Sequence, residues 1–210
     1  MTRFAFVLAA AALSAAATAQ PAMQKPGSAN PAAVTGGTYK ADPGHTLVRW
    51  EVDHLGFSPY FGIFGDVTGT LVLDPRNPAA AKVDVTIPVS KVTTASRGLT
   101  EHLLRAGKDG GKPDFFGASP PDARFVSTKV TPRGNAATIV GNLTLNGVTR
   151  PVTLDARFYG AGKMPAQMGG KENVGFKAST TIKRSDFGIG YGVPMVSDEV
   201  KLDIAAAFEK

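Results

Sequence analysis

Cysteine is absent from this chain of 210 residues. The fold therefore contains no disulfide bond, and its stability must come from burial of side chains. The missing thiol also argues against a lipid-anchored N-terminus. The formal net charge is +6, yet no run of five or more basic residues occurs and no basic recognition helix is visible, so nucleic-acid binding is disfavoured. Beyond the first 17 residues, no apolar stretch is long enough to span a membrane.

The first 19 residues have the pattern of a secretory signal peptide. Arg3 supplies the positive charge, residues 4–17 form an apolar stretch, and small residues precede the predicted cleavage site at Ala19-Gln20. We therefore expect an exported protein, in the periplasm or secreted. Residues 20–37 are rich in Pro, Ala, Gly and Ser without periodicity, and we interpret them as a flexible linker.

Alternation of apolar and polar residues dominates the rest of the chain, residues 38–210. In residues 46–54, Val48, Trp50, Val52 and His54 share one face of an extended strand. The pattern recurs about seven more times between Gly-, Pro- and Asn-rich turns, and the pair at 146–147 is a strong hairpin signal. These features predict an all-β domain, a single antiparallel barrel of eight strands with an apolar interior.

One helix is predicted, over residues 96–106 and near the barrel mouth. Ser96 can cap its N-terminus, and Leu99 and Leu103 lie on one face. The interior itself has two interpretations, a core filled by side chains or a cavity that holds an apolar guest. Glycines within strands favour the cavity, as do aromatic residues grouped in loops and at strand ends. These residues are Gly69, Gly141, Gly175, Phe57, Phe61, Phe64, Phe115, Phe116 and Phe187.

Polar residues near the predicted mouth offer few signs of catalysis. His45 and His54 fall on opposite faces of the strand, so a shared metal is not expected. His54 is a candidate anchor for the polar head group of a ligand. Two rival hypotheses stay open: an enzyme that uses His54 as acid or base on a small amphiphile, and an interaction module with a filled barrel.

Several segments, taken in order, resemble the YceI-like, polyisoprenoid-binding family over residues 38–210. They are DPGH at 42–45, HLGFS at 54–58, GIFG at 62–65, HLL at 102–104, DFF at 114–116, GNLTLNGVT at 141–149, PV at 151–152 and KRSDFG at 183–188. The resemblance implies a lipocalin-like barrel in the periplasm, with an elongated pocket for an isoprenoid chain such as a quinone tail or polyprenyl phosphate. It also implies pairing as homodimers. The chain departs from the family at the long loop 108–112 and at Trp50, where a smaller aromatic residue is commoner.

The sequence therefore predicts a non-catalytic carrier of an isoprenoid or similar lipid, with no required cofactor and no metal. Contact with the envelope membrane is expected to be transient, without a spanning segment. The predicted wall and mouth residues are Val48, Trp50, Val52, His54, Phe57, Phe64, Val85, Leu99, Leu103, Phe115, Phe116, Phe125, Leu143, Leu154, Phe176 and Phe187. The predicted head-group contacts are His54, Arg97, Arg105 and Arg184.

Overall fold

A computed structural model describes residues 24–210, so the predicted signal peptide lies outside the described residues. Within this part of the chain, eleven strands and one α-helix, α1 (Arg97–Leu103), are present. The strands are β1 (Gly27–Ser28), β2 (Gly37–Ala41), β3 (Leu47–His54), β4 (Ser58–Phe64), β5 (Thr68–Leu73), β6 (Lys82–Ile87), β7 (Ala123–Arg133), β8 (Ala136–Leu145), β9 (Val148–Lys163), β10 (Glu172–Lys183) and β11 (Glu199–Glu209).

The strands close into one antiparallel barrel, which confirms the predicted lipocalin-like fold. β2 and β3 act as one bent strand, because both pair with β11. β4 and β5 act as a second bent strand, because β4 pairs with β3 and β5 pairs with β2. From β5 the ring continues through β6, β7, β8, β9 and β10 and returns to β11. Counted in this way, the barrel has the eight strands that the alternation predicts.

The two ends of the barrel differ in their connections. The first, called here the helix end, carries α1, the β3–β4 turn at 55–57 and the long β10–β11 connection at 184–198. The second, called here the opposite end, carries the β5–β6, β7–β8 and β9–β10 connections together with residues 24–36. Because neighbouring strands of the barrel are antiparallel, each of its eight strands, counted with the two bent ones, runs from one end to the other.

The predicted linker over residues 20–37 contacts the barrel in the part that the structure describes, residues 24–37. In its described part, β1 pairs with the end of β9, Gly27 opposite Gly162. β9 runs past Ala136, the first residue of β8, and so leaves an unpaired edge for β1 to cover. Val34 packs against the core around Tyr39, and the Tyr39 hydroxyl donates a 2.7 Å hydrogen bond to the Thr35 carbonyl. The Pro- and Gly-rich composition therefore marks an irregular path along the barrel.

The predicted helix forms but is shorter than expected. The Ser96 side chain accepts a hydrogen bond from the Leu99 N–H, as its predicted cap position requires. α1 ends at Leu103, whose carbonyl accepts a 3.0 Å hydrogen bond from the Phe116 N–H. This bond brings the 104–116 connection back across the helix end. Residues 104–106 therefore continue in a loop.

One glycine inside a strand has a different effect from the one expected. A Cβ atom on Gly141 would overlap the ring of Phe125 and lie 2.6 Å from the Val126 carbonyl oxygen. Gly141 therefore makes room for the Phe125 ring on the neighbouring strand, instead of enlarging the cavity.

Candidate ligand cavity

The barrel encloses a cavity of about 830 Å³, with walls that are almost entirely apolar. Its lining comes from the inward faces of the barrel strands, from α1 and from the connections at both ends. The interior is therefore hollow, and the alternative of a barrel filled by its own side chains is wrong. Apart from Phe57 and Phe187, all of the predicted wall residues line this cavity.

Phe57 and Phe187 are the two predicted wall residues that the structure places elsewhere. Phe57 is 88% exposed, because it sits at the tip of the β3–β4 turn, beyond the end of the barrel. Phe187 is buried, but it packs in a cluster with Phe125, Leu143 and Ile189 and does not reach the cavity. Both belong to irregular segments, where alternation gives no information on side-chain direction.

Trp50 and Tyr60 form the most unusual part of the wall. They lie on the neighbouring strands β3 and β4, with ring centroids 6.3 Å apart. Both side chains line the cavity, yet the indole Nε1 and the phenol oxygen are buried and have no hydrogen-bond partner among the described residues. Each buried polar group without a partner costs free energy, so this patch is polar in chemistry but unsatisfied within the protein.

Two of the three histidines, His54 and His102, lie at the helix end, where the cavity approaches the surface. His54 lines the wall at the exposed end of β3 and forms a β-bridge with Val196. His102, on α1, also lines the wall, and its Nε2 lies 2.7 Å from an oxygen of Asp114. The hydrogen bond with His102, and then the one from Arg105, holds the pKa of the Asp114 carboxyl below its usual range. This pair ties α1 to the segment that crosses above it.

An aromatic cluster surrounds His102. Its ring packs edge-on against Phe115 and Tyr191, with centroids 5.2 and 5.8 Å away. Phe115 and Tyr191 also pack edge-on against each other, at 5.5 Å. Because the three rings come from α1, the 104–116 connection and the 184–198 connection, they hold together the three segments at this mouth.

The structure engages the three predicted head-group arginines in other contacts. Arg97 forms an ion pair with Glu101, and Arg105 forms one with Asp114; neither arginine lines the cavity. Arg184 does line it and is buried, and its guanidinium donates four hydrogen bonds to backbone carbonyls. The acceptors are the carbonyls of Ile189, Tyr191, Val196 and Ser197, at 2.7–2.9 Å. Four of the five guanidinium N–H donors are thus used to hold the 184–198 connection.

The sequence does not identify several residues of the cavity wall. Tyr60 and Phe64 share the inward face of β4, whereas the sequence suggests an aromatic loop over residues 56–64. Tyr191 lies in an irregular segment, and a hydrogen bond from Arg184 and packing against His102 and Phe115 hold it at the wall. At the opposite end, the exposed residues Pro31, Pro75, Asn135 and Arg157 also border the cavity. Their positions depend on long-range packing that no local pattern encodes.

The described residues 24–210 contain no group of three or more His, Cys, Asp or Glu side chains arranged to hold a metal ion. Among the helices of the same residues, none is both long and apolar enough to cross a membrane.

Two known proteins are similar to this chain in sequence. A UPF0312 protein of Pseudomonas aeruginosa is 42% identical over 159 residues, which cover 75% of this chain and 78% of that protein. Protein YceI of Salmonella arizonae is 41% identical over 162 residues, 77% of this chain and 80% of that protein.

Two solved structures share the barrel. The crystal structure of the Campylobacter jejuni YceI protein has a TM-score of 0.61 and 31% identity, and covers 75% of this chain and 89% of that one. A polyisoprenoid binding domain from Saccharophagus degradans is similar in fold alone, with a TM-score of 0.58 and 13% identity over 81% of this chain and 97% of that one. The model of the YceI-like domain matches residues 39–208, and the chain belongs to the YceI-like family.

Proposed function

We propose that this protein is a non-catalytic carrier in the periplasm that holds the apolar chain of an isoprenoid, or of a similar lipid, inside its barrel. The observation that carries the proposal is the apolar cavity of about 830 Å³ inside the barrel. This volume lies in the upper part of the range of ~300–1,000 Å³ that small-molecule sites occupy. The membership of the YceI-like family supports a binding protein in preference to an enzyme.

The chemistry of the wall favours a hydrocarbon chain over a polar ligand. Burial of each CH₂ group contributes ~0.8 kcal/mol, so a long chain gains much of its affinity without directional contacts. A polar metabolite would instead lose its hydrogen bonds to water against the apolar walls. The histidines at the helix end, His54 and His102, offer polar groups near the surface for the head group of the lipid.

Two further facts support the proposal from outside the cavity. The N-terminal 19 residues have the pattern of an export signal, which agrees with a carrier in the cell envelope. The solved domain from Saccharophagus degradans, which has the same fold, is described as polyisoprenoid binding.

The single tryptophan of the chain provides a direct assay, because Trp50 lies on the cavity wall. Titration with farnesol or a short-chain ubiquinone should change its fluorescence with saturation at one ligand per barrel. Native mass spectrometry of protein purified without detergent should show a lipid-sized passenger that organic extraction releases.

A pair of alanine substitutions tests where the ligand sits. Ala178 faces the cavity on β10, and Ala205 faces outward on the neighbouring strand β11. Ala178→Phe should reduce ligand affinity at least tenfold, because the ring occupies the space of the chain. Ala205→Phe should leave affinity unchanged. Equal binding by both variants, or a barrel that takes up no lipid in either assay, would overturn the proposal.

A further inference from the structure

The helix end carries exposed apolar side chains on two adjacent connections. This set, called here the apolar rim, consists of Leu55, Phe57, Tyr191, Val193 and Met195. Phe57 is 88% and Met195 66% exposed. Large apolar side chains grouped in this way mark contact sites for membranes or other molecules, whereas single ones are ordinary.

Hydrogen bonds fix the apolar rim in its exposed position. The Leu55 N–H donates to the Met195 carbonyl at 2.9 Å, so the two connections are joined at the rim itself. The Ser197 N–H donates to the Asp53 carbonyl at 3.0 Å and joins them a second time. The bonds from Arg184 hold the second connection from beneath. Turning either connection inward, together with its apolar side chains, would therefore break several of these hydrogen bonds.

The apolar rim is continuous with an opening of the cavity. Tyr191 belongs to both, since it lines the cavity and is also about half exposed. Leu99 and His54, which line the cavity, are exposed at the same end. Exposed apolar side chains and side chains of the cavity wall therefore meet at this end of the barrel, with Tyr191 in both sets.

We propose that the apolar rim inserts into the surface of a lipid bilayer and that lipid passes between the bilayer and the cavity there. The inference rests on the proposed function, which gives the cavity a ligand that resides in membranes. A chain that left the bilayer through water would expose every CH₂ group, whereas docking of the rim keeps it in apolar surroundings throughout.

The shape and chemistry of the rim favour a bilayer over a second copy of the chain. Its side chains protrude from two turns at the end of the barrel, and Phe57 stands at a tip with little protein beside it. A bilayer accepts protruding side chains, whereas a protein partner would need a matching hollow. Because the rim side chains are uncharged, binding should occur on neutral phosphatidylcholine vesicles and should change little between low and high salt.

The chain offers a matched control for the test. Tyr159 and Met168 lie at the opposite end of the barrel and are 65% and 61% exposed. Phe57→Ser with Met195→Ser, the rim variant, removes the two most exposed side chains of the rim, and Tyr159→Ser with Met168→Ser, the control variant, removes two large exposed side chains elsewhere. Co-sedimentation with phosphatidylcholine vesicles measures docking, and the rate of fluorescence change of Trp50 after addition of farnesol-loaded vesicles measures transfer.

The rim variant should bind vesicles at least tenfold more weakly than the parent and should acquire farnesol at least tenfold more slowly. The control variant should behave as the parent does. Farnesol added from ethanol should still bind the rim variant with parental affinity. Equal vesicle binding by both variants would overturn the inference. A parent that does not bind vesicles but forms a dimer, which the rim variant loses, would also overturn it. Failure of the proposed function looks different, because then the parent gives no response to farnesol by either route.

Discussion

The indole ring of Trp50 packs directly against the backbone of Gly62, its partner across β3 and β4. A Cβ atom on Gly62 would overlap this ring and would also lie 2.7 Å from the Thr93 carbonyl oxygen. The carbonyl is fixed, because it accepts a 2.9 Å hydrogen bond from the Ile63 N–H. The absence of a side chain at Gly62 therefore determines where the large Trp50 ring lies on the cavity wall.

Gly62→Ala should lower the free energy of unfolding by about 1–3 kcal/mol, because the added methyl group overpacks a site with no free space. The emission maximum of Trp50 should shift as the ring moves. Gly98→Ala is the control, since Gly98 lies within α1 with open space around it and should gain about 0.5–1 kcal/mol from helix propensity. Denaturant unfolding measures both variants, and equal stability of the two would contradict the packing described.

Tyr60→Phe should leave the free energy of unfolding unchanged or raise it by up to about 1–3 kcal/mol. The Tyr60 hydroxyl is buried without a partner, so its removal relieves a desolvation penalty. Tyr39→Phe should instead lower stability by about 0.5–1.5 kcal/mol, because the buried Tyr39 donates to the Thr35 carbonyl at 2.7 Å. A larger loss for Tyr60→Phe than for Tyr39→Phe would show that a partner for Tyr60 exists in solution.

The alternation of apolar and polar residues in the sequence predicts the barrel and most residues of the cavity wall. Val48, Trp50 and Val52 lie on regular strands, where the direction of a side chain follows from its position along the strand. The same rule fails in irregular segments. Phe57 is exposed because the β3–β4 turn runs past the barrel, and Arg184 is buried because four carbonyls from distant positions converge on it.

The bent strands show a second limit of local reasoning. The aromatic segment at residues 56–64 suggests a loop, but cross-strand pairing with β3 keeps residues 58–64 extended. The N-terminal segment is similar, because its order depends on an unpaired edge of β9 that the segment itself does not encode. Tertiary contacts decide both cases, whereas composition describes only the chain in isolation.

Arg184→Lys should lower the free energy of unfolding by at least ~2 kcal/mol, because an ammonium group cannot reproduce the planar fork that reaches four carbonyls. Arg97→Lys, at an exposed ion pair with Glu101, should change stability by less than ~0.5 kcal/mol. Thermal unfolding followed by circular dichroism measures both. Near-equal stability of the two variants would mean that the 184–198 connection does not depend on the guanidinium.

Acid should weaken the helix end through Asp114. Its pKa is lowered by the hydrogen bond with His102 and by Arg105, so its carboxylate stabilises the fold fully above the ordinary value of ~3.9. That contribution is lost as the pH falls through the lower pKa of the folded state. Other carboxyl groups with a lowered pKa behave alike, namely Asp84, Glu172 and Asp198.

Asp114→Asn should therefore reduce the difference in unfolding free energy between pH 7 and pH 3, without abolishing it. Asp109→Asn, in the same connection but in none of the ion pairs recorded for residues 24–210, should leave the difference unchanged. Chemical denaturation of parent and variants at the two pH values gives the comparison. A pH dependence identical in all three proteins would mean that the Asp114 pair does not stabilise the fold.

Deletion of residues 24–34 should destabilise the barrel, unlike removal of a free linker. The cut removes β1 from the edge of β9 and removes Val34 from the cluster around Tyr39. Loss of the buried part of one Val side chain alone costs up to about 1.5–3 kcal/mol. Hydrogen exchange of residues 159–163, at the end of β9, should become faster, whereas the exchange of β7 should change only as global stability does. Unchanged stability and unchanged hydrogen exchange would mean that residues 24–34 are a flexible linker, since a linker contributes neither buried surface nor strand pairing.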